Sequence, residues 1–337
     1  MPPLVSILIP AYNAGQWIAE TIKSAQAQTW PRKEIIVVDD GSKDQTLSVI
    51  RRFETSGVKV ATQANQGGSA ARNMAFAISQ GEYIQWLDAD DLLVADKIER
   101  QMEALGRCSG PRTVLSSAWG SFYYRSRKAR FTPTELWKTL SPIEWLLSKY
   151  QRCTYMPPAT WLLSREITQS AGPWDTRLSF DDDGEYFCRL ISKSDGVYFV
   201  PEAKSLYRHS GSGSMSYVGQ SDKKMESLMI SMKSHVEQIR AVEDSARVKA
   251  ACLQYLQWWS FYFVPSRPDL TRETEKLAAS LGGHLQPPRL WNNRYQVVQK
   301  MFGWNVAKRA QSLVPQMRAS FSRSWDKALF RLGGQNS

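Results

Sequence analysis

Three carboxylates follow an apolar run in the segment QWLDADDLL, residues 85–93. Asp88 and Asp90 occupy alternate positions, so on an extended chain their side chains point the same way. Carboxylate oxygens in that arrangement suit a hard divalent cation. The alternative is a helix N-cap pair, because the following residues have a helical pattern, and Asp91 is expected to be that N-cap. The spacing predicts a cation site at the tip of a buried strand.

A second acidic cluster precedes an amphipathic helical pattern within residues 171–191. Its members are Asp181, Asp182, Asp183 and Glu185. Mutual repulsion should raise the pKa of at least one of these carboxyl groups toward neutrality, as a general base requires. Asp181 is expected to be a solvated acid that tunes its neighbours.

Strands and helices alternate over the first hundred residues, which places these acids in a fold. The strand patterns are LVSILIP and KEIIVVDDGS, both buried, the short VKVATQ, and EYIQWLDADD, with helical periodicity between them. Such βαβ units form a mostly parallel, doubly wound α/β sheet flanked by helices. Ligands of these sheets bind beyond the carboxyl ends of the strands, where this chain has PAYN, DDGS and DADD.

The polar strand ends predict a nucleotide site of a particular kind. Neither GxGxxG after the first strand nor a GxxxxGK[ST] loop is present. Phosphates would therefore be carried by a divalent metal held by the acids. Asp39 can accept hydrogen bonds from a base or ribose, and Arg72 can donate to a base carbonyl.

Four segments carry a family resemblance: PAYN (10–13), VVDDGS (37–42), NQGGSAARN (65–73) and WLDADD (86–91). In order and spacing the chain resembles the inverting family 2 glycosyltransferases over residues 4–216. The resemblance implies a GT-A fold, a nucleotide-sugar donor with a UDP-sugar as the default, and Mn²⁺ or Mg²⁺ as cofactor. It implies donor contacts at Pro10, Tyr12, Asp39, Asp40, Arg72, Asp88 and Ala89. It places the metal on Asp90 and His209, the latter in SLYRHSGSGSMS.

The same resemblance places the catalytic pair on Asp182 and Asp183, counted back from Arg189, with Asp183 as the base. The family commonly has Glu where this chain has Asp182, and the adjacent Asp181 leaves a one-residue ambiguity. Arg208 and the following Ser/Gly loop are expected to cover the diphosphate as a lid. Trp161 and Trp174 flank the acidic cluster, and either sugar stacking or core packing would explain them.

Three parts are predicted: residues 1–218, which the resemblance implies are a GT-A domain, a helical appendage over 219–282 and a basic amphipathic tail over 283–337. Four widely spaced cysteines indicate reduced thiols in a cytosolic protein. The chain enters a strand at once, so no signal peptide is expected. It has no run of ~20 apolar residues that would cross a bilayer. We expect a cytoplasmic protein, peripheral at the inner face of the membrane.

The tail explains most of the net charge of +11. In 314–332 the residues predicted to share an apolar face are Met317, Phe321, Trp325, Ala328, Leu329 and Leu332. Arg318, Arg323, Lys327 and Arg331 lie around it. This pattern predicts an interfacial helix on an anionic membrane, and packing on the body or a partner is the alternative. Nucleic acid is not expected as a partner, because no base-reading motif accompanies the charge.

Two functions follow from these observations. The first is an inverting glycosyltransferase that adds a sugar to a hydroxyl of a glycan or lipid-linked acceptor in cell-surface polysaccharide synthesis. The second is a catalytically silent nucleotide-binding module that acts as a membrane-associated scaffold. Intact acids at Asp90 and Asp183 favour the enzyme.

Overall fold

The computed structural model describes residues 1–108, 110–210, 221–287, 290 and 293–333. Within them the strands are β1 (Val5–Ala11), β2 (Lys33–Asp39), β3 (Val58–Thr62), β4 (Tyr83–Trp86), β5 (Leu92–Leu93), β6 (Thr113–Phe122), β7 (Arg130–Phe131), β8 (Leu163–Ser164) and β9 (Gly196–Arg208). The helices are α1 (Ile18–Gln26), α2 (Thr46–Arg51), α3 (Gly68–Ala77), α4 (Lys97–Ala104), α5 (Pro142–Arg152), α6 (Arg165–Ala171), α7 (Asp182–Ser192), α8 (Asp222–Val242), α9 (Ala246–Ser260), α10 (Pro268–Ser280) and α11 (Asn293–Gly333).

The main sheet has the order β3-β2-β1-β4-β8, and only β8 runs antiparallel to its neighbour. β1 and β2 are apolar and buried over most of their length, as expected of strands covered by helices on both faces. The four strands predicted at the start of the chain are confirmed, and so is the mostly parallel sheet. The order places the carboxyl ends of β2, β1 and β4 side by side.

A second sheet, β5-β9-β6-β7, completes the catalytic half of the molecule. β6 and β9 pair in parallel over their length with a register shift at Ser117 and Ala118. β9 ends at Arg208, and the amide of His209 donates to the carbonyl of Phe122 at the end of β6 (2.8 Å). The second sheet therefore delivers His209 to the edge where the first sheet ends.

The residues after DADD differ from the predicted helix. Leu92 and Leu93 form β5, and α4 begins only at Lys97 with Asp96 at its N-cap position. Two adjacent apolar residues are compatible with a strand or with a helix. Here antiparallel pairing with β9 makes Leu92 and Leu93 a strand. Asp91 is therefore not a helix cap.

The helices α8, α9 and α10 share the core of the first domain. Met225, Leu228, Met232 and Val236 of α8 are buried in the same apolar cluster as Trp86, Trp145 and Tyr186. Trp161 and Trp174 are buried in that cluster too, so core packing, not sugar stacking, explains them. Cys108, Cys153, Cys188 and Cys252 are free thiols, as predicted. None of the helices in the described part of the chain combines the length and apolar composition that a membrane crossing requires.

Candidate active site

The polar segments at the ends of β1, β2 and β4 meet at one edge of the main sheet. Ala11 pairs with Asp39 in register, the amide of Asp40 donates to the carbonyl of Ala11 (2.8 Å), and that of Leu87 donates to Leu8 (3.0 Å). Asn13 joins the first two segments, because its side-chain oxygen accepts from the amide of Lys43 (2.8 Å). The prediction that these strand ends gather is confirmed.

Asp39 and Asp40 have different surroundings although they are adjacent. Asp39 is buried, and its Oδ2 accepts from the amide of Ser42 (3.2 Å). Its Oδ1 is buried and has no hydrogen-bond partner among the described residues. A buried carboxylate oxygen without a donor is costly, so this atom is suited to accept a hydrogen bond from a ligand.

Asp40 instead holds the loop before α3. Its Oδ1 accepts from Gln63 (2.7 Å) and from the amide of Gln66 (2.9 Å), and its Oδ2 accepts from Asn65 (3.0 Å) and from the amide of Gly67 (2.8 Å). Four donors already occupy the two oxygens that were predicted to contact a nucleotide. The neighbouring Gly41 has φ 69°, and a Cβ there would lie 2.8 Å from the backbone nitrogen of Asn65. The DDGS turn therefore needs its glycine.

The other predicted donor contacts lie around this edge. Tyr12 directly follows β1, and its side chain is half exposed. Pro10 is the penultimate residue of β1. The carbonyl of Ala89 accepts from Thr21 Oγ1 of α1 (2.9 Å), which fixes the DADD segment against that helix.

Arg72 joins the two acidic clusters. Its guanidinium is buried and donates to Asp88 Oδ1 through Nη2 and to Asp182 Oδ2 through Nη1, both at 2.8 Å. It also lies 4.4 Å from the ring centroid of Trp174. Its two terminal nitrogens are held by carboxylates, and the role of Arg72 as a donor to a base carbonyl stays a prediction.

Asp182 and Asp183 differ in their partners. Asp182 is the ion-pair partner of Arg72, whereas Asp183 makes no ion pair with any described residue. Burial, together with the charges of Asp182 and Asp181, raises the pKa of Asp183 to about 7. A carboxylate in this state is suited to take a proton near neutral pH.

Asp181 is not the solvated acid that its sequence position predicted. It adopts the left-handed conformation (φ 58°) at the N-cap position of α7, and Ser231 of α8 donates to its carboxylate. His235 Nδ1 lies 3.6 Å from the same group. Burial raises the pKa of Asp181 to about 6.

Residues of α8 support the acidic segment, and sequence reasoning missed them. Ser227 accepts from the amides of Ser179 and Phe180, while Ser234 and Gln238 donate to Glu185. With Ser231 they recur at helical spacing inside an apolar helix. Polar residues at helical spacing in an otherwise apolar helix could have predicted this support, because buried polar groups require hydrogen-bond partners.

Arg208 is a structural residue instead of the predicted lid residue. It is buried between the rings of Trp17 and Phe122, with centroid distances of 4.3 and 4.4 Å. Its side chain donates to the carbonyl of Asp90 (2.7 Å) and to Glu20 (2.6 Å). The rest of the predicted lid, 211–216, lies outside the described residues.

Asp91 also connects the DADD segment to Arg208. Its buried Oδ1 accepts from the backbone amide of Arg208 (2.8 Å), which joins the DADD segment to the end of β9. Burial, followed by the charges of Asp90 and Asp88, raises the pKa of Asp91 well above its usual value. Asp91 thus fixes the segment that carries Asp90 beside the segment that carries His209.

Asp90 and His209, the two predicted metal ligands, lie on neighbouring segments. Ser210 hydrogen-bonds to the carboxylate of Asp90, so residues 208–210 lie alongside it. His209 lies between the rings of Tyr123 and Tyr207, at 5.4 and 5.2 Å. Burial lowers the pKa of His209, which favours the neutral imidazole that metals bind.

Other groups would have to complete such a site. Across the residues that the structure describes, no three His, Cys, Asp or Glu side chains cluster as a metal-binding group. One carboxylate and one imidazole fit Mn²⁺ or Mg²⁺ if diphosphate oxygens and water supply the other positions.

Arg72→Met should lower the free energy of unfolding by ~3–5 kcal/mol, because it leaves Asp88 and Asp182 without their shared cation in a buried site. Denaturant unfolding of purified protein measures this. Arg177→Met is the matched control: Arg177 is exposed and pairs only with Asp175, so its loss should cost less than ~1 kcal/mol. Equal stability of the two variants would contradict the proposed importance of the Arg72 bridge.

Comparison with known proteins agrees with this geometry. Residues 6–170 match the family model described as glycosyl transferase family 2. These residues are a family 2 glycosyltransferase domain. The chain is 32% identical to an uncharacterized glycosyltransferase of Rickettsia typhi over 209 residues, covering 59% of this chain and 62% of that protein. It is 29% identical over 224 residues to glycosyltransferase GlyG of Streptococcus pneumoniae, covering 62% of this chain and 71% of that protein.

A third relative carries a more specific name. TuaG of Bacillus subtilis, provisionally named a teichuronic acid biosynthesis glycosyltransferase, is 38% identical over 104 residues, covering 30% of this chain and 41% of that protein. The chain thus spans less than two thirds of the length of most of these relatives.

Solved structures show that the family 2 domain has the GT-A fold. TarS 1–349 of Staphylococcus aureus in complex with UDP-GlcNAc superposes with a TM-score of 0.64 at 17% identity, over 82% of this chain and 81% of that one. A mannosyltransferase of Pyrobaculum calidifontis in complex with GDP-Man and Mn²⁺ gives 0.50 at 17% identity, over 94% and 88%. The predicted fold class is confirmed.

Proposed function

We propose that the chain is an inverting glycosyltransferase that moves a sugar from a nucleotide-sugar donor to a hydroxyl of a glycan or lipid-linked acceptor. The observation that carries the proposal is the bridge through Arg72. It brings an unpaired carboxylate with a pKa of about 7, Asp183, next to the strand ends that hold Asp39 and Asp88. A proton acceptor beside a predicted nucleotide site is the arrangement that transfer to a hydroxyl requires.

In this proposal the nucleotide lies across the ends of β1 and β2. The unpartnered Asp39 Oδ1 accepts from the base or ribose, and the exposed Tyr12 ring packs on the base, with Pro10 and Ala89 as walls. UDP is the default nucleoside diphosphate, and the structures of TarS with UDP and UDP-GlcNAc support that choice by similarity of fold. Asp40 and Arg72 act indirectly, by holding the loop before α3 and the acids of the site.

Asp90 and His209 would hold a Mn²⁺ or Mg²⁺ ion. When bound, that ion supplies Lewis-acid stabilisation of the departing diphosphate. Asp88 is held by Arg72 and so does not compete for the ion, while Asp91 fixes the position of the segment through Arg208.

Asp183 takes the proton of the acceptor hydroxyl as that oxygen attacks the anomeric carbon. A single displacement from the face opposite the leaving group inverts the configuration, by the same opposite-face logic as in inverting glycosidases. Asp182, neutralised by Arg72, orients the start of α7 so that Asp183 points to the acceptor. The acids at Asp90 and Asp183 are both intact, which counts against the silent-scaffold alternative.

We place the reaction in cell-surface polysaccharide synthesis, at the cytoplasmic face of the membrane. The name of TuaG supports the pathway class, and the free thiols support the compartment. The exposed apolar and basic face of α11 supports contact with an anionic leaflet, where a lipid-linked acceptor would lie.

Nucleotide binding provides the first test. A UDP-sugar at a hundredfold over its Kd should stabilise the folded protein by ~2.7 kcal/mol. Asp39→Asn should weaken UDP binding by ~10–100-fold, because an amide NH₂ replaces the acceptor that a ligand donor needs. Denaturant unfolding with and without the UDP-sugar measures the stabilisation, and titration calorimetry with UDP and Mn²⁺ measures the affinity. Asp44→Asn, an acid on the adjacent turn, is the control, and equal UDP affinity of the two variants would contradict the role of Asp39.

A further inference from the structure

Helix α11 presents two different sides beyond its break at Gly303. One side carries an exposed apolar stripe of Leu313, Met317, Phe321, Trp325 and Leu332, each more than half exposed. Phe321, for example, keeps 74% of its surface accessible. The other side is docked on the GT-A domain. A helix that is held by its polar side and shows its apolar side outward leaves that stripe for a partner.

The docked side is held by specific polar contacts. Asp326 Oδ2 accepts from the amides of Tyr124 (2.9 Å) and Arg125 (3.2 Å), and its Oδ1 accepts from Arg125 Nε (2.7 Å). Arg323 Nη1 donates to the carbonyl of Ser210 (3.1 Å). Lys327 and Phe330 pack on the ring of Tyr124, at 5.6 and 6.1 Å.

These contacts fall on the two segments that surround His209. Tyr123 directly precedes Tyr124 and Arg125, whose amides donate to Asp326. The centroid of the Tyr123 ring lies 5.4 Å from that of the His209 imidazole. Ser210, whose carbonyl accepts from Arg323, follows His209 and hydrogen-bonds to Asp90. The docked side of α11 therefore contacts Ser210, which follows His209, and residues 124–125, which follow the Tyr123 ring that packs on His209.

The charged residues of α11 indicate which kind of partner surface covers the apolar stripe. Beyond Gly303 the exposed basic residues of the helix are Arg309, Arg318 and Arg331, whereas Lys308, Arg323 and Lys327 contact the body of the protein. Its acid, Asp326, is neutralised by Arg125. An apolar stripe flanked by cations complements an anionic lipid surface, where each basic residue near the surface contributes attraction and the apolar residues contribute burial.

We propose that seating α11 on an anionic leaflet presses its docked side onto the domain and thereby orders the segments that hold His209 and Asp90. This inference rests on the proposed function for its biological meaning, but the coupling itself is a property of the helix and its contacts. The membrane then serves as an activator of the site as well as an anchor. A transferase of this kind is competent where its lipid-linked acceptor is present.

Hydrogen exchange of the full chain, without nucleotide or metal, tests the coupling. Phosphatidylglycerol-containing vesicles should slow exchange in residues 120–125 by about threefold or more, since the amides of Tyr124 and Arg125 donate to Asp326. Phosphatidylcholine vesicles should have a much smaller effect. Asp326→Asn should still sediment with anionic vesicles but lose the protection. Asp269→Asn, which removes a similarly Arg-paired acid from α10, should behave as wild type.

A second pair of variants separates the binding of α11 to the membrane from its contact with the domain. Phe321→Ser with Trp325→Ser should abolish co-sedimentation at moderate salt, whereas Ile78→Ser, an exposed apolar residue outside the tail, should not. If wild type binds the vesicles and exchange in residues 120–125 is unchanged, the coupling is wrong. If wild type fails to bind anionic vesicles, the membrane partner is wrong as well. Neither result bears on sugar transfer, which the nucleotide and product assays test separately.

Discussion

Asp183→Asn should lower kcat by ~10²–10⁴-fold while leaving donor binding nearly unchanged. The amide keeps the shape of the side chain but cannot accept the proton of the acceptor hydroxyl. Steady-state kinetics together with UDP titration separate the two effects. If Asp182→Asn is inactive and Asp183→Asn is active, the base is one residue earlier than the Arg72 pairing indicates.

The pH dependence of wild type gives an independent readout. Asp183 acts as a base only when ionised, and its pKa is raised to about 7 by burial and by its acidic neighbours. The rate should therefore fall as pH drops below about 7 and level off above it. Because the folded-state pKa exceeds the unfolded value, ionisation of Asp183 costs stability as pH rises toward 7. Asp183→Asn should accordingly be more thermostable than wild type at pH 8, a gain that a merely damaged variant would not show.

Asp90→Ala should abolish transfer and remove the metal-dependent part of nucleotide binding. Asp90 is the carboxylate assigned to the ion, and its neighbours Asp88 and Asp91 are committed to Arg72 and to the amide of Arg208. UDP titration with Mn²⁺ and with a chelator measures the loss.

Asp96→Ala is the control for Asp90, because this acid lies on the same segment and pairs externally with Arg100. It should retain wild-type metal dependence. An Asp90→Ala enzyme that keeps more than about half the wild-type rate with Mn²⁺ would show that the metal lies elsewhere.

Much of the fold and the location of the site could be predicted from local sequence. Strands such as LVSILIP are buried on both faces, and that burial leaves an uninterrupted apolar run that is visible without a structure. The polar segments at the strand ends follow from topology, because parallel strands present their carboxyl ends at one edge. These inferences needed only neighbours in sequence.

The partner of each charged residue could not be predicted in the same way. Arg72 has its carboxylate partners in two segments far apart in the chain, and Asp91 has its donor at the end of β9. Burial then selects the pairing, since an unpaired charge in the interior is costly. The short strand Leu92–Leu93 was missed for a related reason, because its conformation depends on β9 and not on its own periodicity.

The most direct test of the account is nucleoside diphosphate release from a panel of UDP-, GDP- and dTDP-sugars with Mn²⁺. Wild type is compared with Asp183→Asn and Asp90→Ala, and UDP-GlcNAc is included because TarS was solved with it. We expect wild type to release the diphosphate from at least one donor, and both variants to lose that release while Asp183→Asn still binds the donor. Release that is unchanged in Asp183→Asn, or wild type that neither binds nor cleaves any donor of the panel, would contradict the account.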